Sequence, residues 1–146
     1  MNATEARTRL LAQHQHLRAH LDACIRLAHQ LRSDELAGPA LDMALDRLRN
    51  DFATHNQAET AIVRQLLHGP SAWSSLLVDR MLEEHIAEHA AFWELLTGTR
   101  TEVAGRIEEL ADELDAHMAA EERTFLSPVT LHDDVIRDRN REELAD

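Results

Sequence analysis

Three short stretches place a histidine and a second metal-ligating side chain four residues apart: "HNQAE" pairs His55 with Glu59, "HIAEH" pairs His85 with His89, and "HMAAE" pairs His117 with Glu121. On an α-helix that spacing sets both side chains on one face, about one turn apart. Imidazole and carboxylate are ligands for iron, manganese or zinc, and a pair at this spacing can reach one ion. A seventh candidate, His14, sits within an apolar helical stripe near the amino terminus. Each pattern alone more often marks a surface histidine or one satisfied in a core, so agreement between segments carries the weight. Glu59 and Glu121 sharpen the point, because an unpaired ion in a low-dielectric interior costs several kcal/mol.

Helices must position these groups. Three of the four glycines and all three prolines fall at the ends of long segments of period 3.6. The first predicted helix runs from about Thr4, as N-cap, to about Arg32 and buries Leu10, His14, Leu17, Leu21, Cys24, Ala28 and Leu31. "SDELAGP", residues 33–39, is the break. The second begins near Pro39, carries Leu41, Leu45, Leu48, Phe52, His55, Glu59, Ile62 and Leu66, and ends at Gly69 and Pro70. The third starts near Ser71, carries Val78, Leu82, His85, His89, Phe92 and Leu96, and closes at Gly98; the fourth runs from about Thr101 to Pro128 with Val103, Ile107, Leu110, Leu114, His117, Glu121 and Phe125. Short connections favour antiparallel neighbours, so the expected fold is all-α, an antiparallel up-down-up-down four-helix bundle over residues 1–130. Residues 131–146 form a charged tail, a short surface helix or a frayed end.

Depth along the bundle tests whether the groups can meet. At about 1.5 Å per residue, His14 lies roughly 15 Å from the start of its helix and His55 with Glu59 about 15 to 17 Å from the end of theirs, the same level in an antiparallel pair. His85 with His89, roughly 20 Å into the third helix, and His117 with Glu121, about 10 to 15 Å from the end of the fourth, fall in that layer too. Seven imidazole and carboxylate ligands exceed the four that zinc prefers and suit two ions, with glutamates able to bridge them. Iron is the leading candidate, with zinc or manganese as alternatives at one or both positions. None of the ten histidines has a glutamate three residues before it, which disfavours a ferritin-type site.

Composition narrows the partners. With 27 acidic and 15 basic residues the net charge is −12, so nothing supplies the phosphate neutralisation on which nucleic-acid affinity depends, and anionic membranes are equally poor partners. No signal peptide or membrane span is visible, and the single cysteine, Cys24, allows no internal disulfide; a cytoplasmic protein is expected. The chain has no tyrosine, the commonest radical partner of oxidases.

The order of elements, a histidine on the first helix, then "HNQAE", "HIAEH" and "HMAAEERTFLSP", resembles the hemerythrin and hemerythrin-like (HHE cation-binding) family over about residues 5–128. The resemblance implies a four-helix bundle around two iron ions, joined by an oxo or hydroxo bridge, that leave one coordination position open for dioxygen. It implies His14, His55, Glu59, His85, His89, His117 and Glu121 as ligands. His14 fits through "AQHQHLRAHL", a histidine followed three residues later by leucine; His16 and His20 are rivals, His16 pointing roughly 160° away from His14 on an ideal helix and His20 lying near the edge of the stripe. On the fourth helix the best-known hemerythrins place an aspartate five residues after the histidine, here Glu122, whereas many relatives use the position of Glu121, which helical phase favours. Glu83, Glu84 and Glu88 are read as solvated neighbours, His29, His68 and His132 as solvated ends, Trp73 and Trp93 as having no ligand role, and Phe52, Phe92 and Phe125 as an apolar shell.

Dioxygen, nitric oxide or peroxide would be the small-molecule partner. An imidazole-rich site favours reversible binding in carriage, storage or sensing, a sensor needing a separate protein partner. The alternatives are a redox enzyme that decomposes peroxide, reduces nitric oxide or repairs iron centres, and a bundle whose metal is only structural.

Overall fold

A computed structural model describes residues 2–67, 72–124, 126 and 127. Four helices follow in order, α1 (Ala3–Leu31), α2 (Gly38–Leu67), α3 (Ala72–Leu96) and α4 (Arg100–Arg123), with a 3-10 turn at Glu35–Ala37 between the first two. No strand occurs among the described residues. Phe125, His68, Gly69, Pro70, Pro128, His132, the expected tail and the side chain of Trp73 lie outside what is described.

Local contacts set the helix ends. Asn2, rather than Thr4, caps α1: its side chain accepts from the Glu5 amide at 2.8 Å while Glu5 accepts from the Asn2 amide at 3.2 Å. Thr99 and Glu102 form the same reciprocal box at α4, one helix residue before the expected Thr101. Each box satisfies two backbone donors that a helix start otherwise leaves open. Helix α4 stops at Arg123, short of Pro128, where the Thr124 hydroxyl donates to the Ala120 carbonyl at 2.8 Å and the Leu126 amide to Glu121 O at 3.0 Å. That turn tucks Leu126 into the interior.

Two apolar cores fill the bundle. The larger joins the second half of α1 (Leu17, Leu21, Cys24), the first half of α2 (Leu41, Leu45, Leu48, Phe52), the end of α3 and the first part of α4 (Val103, Ile107, Leu110, Leu114). The smaller joins the start of α1 (Ala3, Ala6, Leu10), the end of α2 (Ile62, Val63, Leu66), Leu82 of α3 and Leu126. Ends meeting starts in this way is the antiparallel arrangement expected. Helix α1 packs on α2 and α4, α2 on α3, and α3 on α4, the cycle of a four-helix bundle. Arg100 crosses from the start of α4 to Asp42 of α2, Nε to Oδ1 at 2.8 Å, closing the same end. None of the described helices is long and apolar enough to cross a membrane.

Candidate metal centre

The layer between the two cores is polar. His14 lies between Leu10 and Leu17 on α1, His55 and Glu59 between Phe52 and Ile62 on α2, His85 and His89 between Leu82 and Leu96 on α3, and His117 and Glu121 between Leu114 and Leu126. His14, His55, Glu59, His89 and Glu121 are all buried. These seven residues form two groups, His85, His89, His117 and Glu121 in one and His14, His55, Glu59 and Glu121 in the other, and within each the ligand atoms lie within 4.8 Å of one another.

Both glutamates face both groups. Glu121 turns Oε2 to His14 Nε2 at 3.2 Å and Oε1 to His117 Nε2, with His85 Nδ1 at 3.7 Å and His89 Nε2 at 3.8 Å. Glu59 turns Oε2 to His55 Nε2 at 2.9 Å and Oε1 to His85 Nδ1 at 3.5 Å and His89 Nε2 at 3.7 Å. His14 and Glu121 Oε2 are hydrogen-bonded, but not every close contact in the layer is. His55 Nε2, Glu59 Oε2 and Glu121 Oε1 are fully buried and make no hydrogen bond of acceptable geometry. Buried polar atoms are nearly always paired, so atoms that converge without pairing are what a cation would satisfy. The donor set, five imidazoles and two carboxylates, fits a metal. A family model described as the hemerythrin HHE cation binding domain matches residues 6–129.

The chain belongs to the hemerythrin HHE cation-binding family. Among curated proteins and solved structures nothing matches significantly.

Electrostatics agree with a hemerythrin-type cation centre. Burial, reinforced by the neighbouring Glu121, pushes the Glu59 carboxyl well above the usual carboxylate range. Burial also opposes ionisation of Glu121, but contacts from His117, His14 and His89 outweigh it and hold Glu121 ionised. Two carboxylates this close and this dry cannot both be charged without a cation. Burial, helped by His14, pushes His55 down to about 3, and burial lowers His85 as well, which favours the neutral ring that a metal requires. Burial works against a charged His117 ring too, yet Glu121 and Glu88 raise its pKa.

The rival positions fall outside the two groups. Glu122 approaches His14 from the far side, Oε1 to Nδ1 at 3.4 Å, and is bound by Arg18 at 2.7 Å, which holds its carboxyl below the usual range. His20 pairs with Asp51 at 2.6 Å on the α1–α2 surface, His16 is exposed, and His29 pairs with Glu108. The reading of Glu88 as merely solvated changes: though 55% exposed, it sets Oε2 2.8 Å from His117 Nδ1. Gln13, absent from the sequence reading, sets Oε1 2.8 Å from His55 Nδ1. Both partnerships cross between helices, and no spacing within one helix signals them. Phe52 and Phe92 do line the layer, edge-on to His89 and His117 with ring centroids 5.7 and 5.6 Å apart.

Proposed function

We propose that the centre holds two iron ions joined by an oxo or hydroxo bridge, and that the chain binds dioxygen or nitric oxide for carriage, storage or sensing. The observation that supports this reading is the unequal division of donors. One group offers three imidazoles and the other two, with Glu59 and Glu121 facing both. The His14 and His55 group is one donor short, so an exchangeable position falls on that side. An iron pair supplies a one-electron change at each ion and a position for a diatomic ligand.

The rest is the work of the chain's own residues. Burial keeps His55 neutral, so its lone pair is available at ordinary pH. Phe52 and Phe92, backed by the larger apolar core, limit water at the ring edges. Neutral imidazoles donate less negative charge than carboxylates, which restrains oxidising chemistry and favours reversible binding.

A second reading, a redox enzyme acting on peroxide, draws support from an open surface groove of about 400 Å³ between α2 and α3 whose lining includes Ala61, Ile86 and His89. It admits solutes larger than dioxygen.

Anaerobic reduction followed by oxygen titration, with metal quantified, tests both. About two irons per chain and an absorbance that appears with oxygen and vanishes on deoxygenation support the binding reading. One zinc or no metal sinks the di-iron assignment. Irreversible oxidation with peroxide turnover above a free-iron control moves the assignment to the enzyme, and two irons indifferent to oxygen leave a structural metal.

A further inference from the structure

His117, His14 and His55 are each held from outside, at the ring nitrogen that faces away from the centre, and the three holders differ in charge. His117 Nδ1 meets the solvent-facing Glu88 carboxylate at 2.8 Å. His14 Nδ1 meets Glu122 at 3.4 Å, and the charge of Glu122 is matched by Arg18, itself also bound to Asp115 at 2.7 Å. His55 Nδ1 donates to the neutral amide oxygen of Gln13 at 2.8 Å. A hydrogen bond at Nδ1 fixes the proton there and leaves the Nε2 lone pair for the centre. The more negative the acceptor, the more basic that lone pair becomes.

The two groups therefore receive different support. In the group of His85, His89 and His117, the carboxylate of Glu88 stands behind His117. Behind His14 and His55 stand a carboxylate already neutralised by arginine and an uncharged amide. Donor number and donor strength point the same way.

Resting on the two-ion reading, we propose that Gln13 is a positioning residue that makes the two ions unequal. It aims His55 at the centre while supplying no negative charge, so the ion of the His14 and His55 group is the more weakly held and the last to be oxidised. Carboxylate-backed imidazoles stabilise the higher charge of an oxidised ion, and amide-backed ones do so less.

The test is an anaerobic titration of the full metal-free chain with cobalt(II), followed by visible absorbance, and of the iron-loaded chain by redox potentiometry. The natural chain is expected to bind in two steps. Gln13→Leu should weaken the second step by about 10- to 100-fold, the usual effect of losing such a partner, and leave the first unchanged. Gln13→Glu keeps an acceptor and adds charge, so it should strengthen the second step beyond that of the natural chain and lower the more positive of the two midpoint potentials. Glu88→Gln should weaken the first step instead. A single step for two equivalent ions in the natural chain, or Gln13→Leu acting on neither step or on both alike, overturns the assignment. If Gln13→Leu fails to fold by circular dichroism, Gln13→Glu decides: an unchanged second step and unchanged potentials overturn it. A natural chain that takes up one ion or none defeats the two-ion reading itself, a result distinguishable from the others.

Discussion

Leu45 and Glu59 stand on the same face of α2, about four turns apart, and are 1% and 2% exposed. Burial means opposite things for them. A leucine withdrawn from water contributes roughly 2 kcal/mol to folding, whereas a carboxylate withdrawn without a matching cation costs several kcal/mol. The larger apolar core thus stabilises the chain whatever is bound, and the polar layer beside it stabilises only with a cation in place. The bundle tolerates a layer of five histidines and two glutamates because apolar packing above and below supplies the surplus.

The largest effect should come from removing the metal. For two ions each at about a thousand times its dissociation constant, linkage predicts a loss of about 8 kcal/mol, a fall in melting temperature of roughly 15 to 30 °C for a chain of this size. Calorimetry before and after chelation checks this, and coincident melting curves would place the stability of the layer in the protein alone. Next comes Leu45→Ala, which should cost about 2 to 5 kcal/mol through the cavity it leaves while metal content stays at the natural value. Glu59→Leu inverts that result. It should abolish uptake by the His14 and His55 group yet stabilise the metal-free chain by about 1 to 3 kcal/mol, the penalty of a buried polar group left without a hydrogen bond, as Glu59 Oε2 is. The gain should grow above pH 4.5: the unfolded chain there loses the Glu59 proton that the folded one keeps, so the natural metal-free chain weakens as pH rises. Urea titrations at two pH values read both terms, and a metal-free Glu59→Leu chain weaker than the natural one would break the contrast between the regions.

The same contrast governs what the sequence discloses. Apolar stripes of period 3.6 announce α1 to α4, and the rise per residue brings His14, His55, His85 and His117 to one height without any structure. Helical phase separates Glu121 from Glu122 because a step of about 100° turns the second side chain off the stripe and toward Arg18. Periodicity is silent where the partner comes from another helix. Gln13 directly precedes His14, and nothing in that adjacency says its amide serves His55, 42 positions away. Glu88 has the composition of a solvated face and occupies one, yet its carboxylate reaches across to α4. The caps at Asn2 and Thr99 do carry a local signal, since each has its glutamate three residues on.

The finest distinction within the polar layer is one of proton occupancy in the metal-free chain. His55 folds with its pKa pushed to about 3 from an ordinary value near 6.5. Between those values the unfolded chain binds a proton that the folded chain refuses, so stability from this group is present above pH 6.5 and lost as pH falls toward 3. Integrated from pH 7.5 to 5.5 the loss is about 1.4 kcal/mol. Glu59 works in the opposite sense over the same interval, so the natural chain alone does not isolate the histidine. Its difference from a metal-free His55→Leu chain does: acidification should improve the variant relative to the natural chain by about 1.4 kcal/mol in paired urea titrations. Parallel pH dependence in the two chains would mean that the His55 ring already carries its proton when folded, and a protonated ring there could not present a lone pair to a metal.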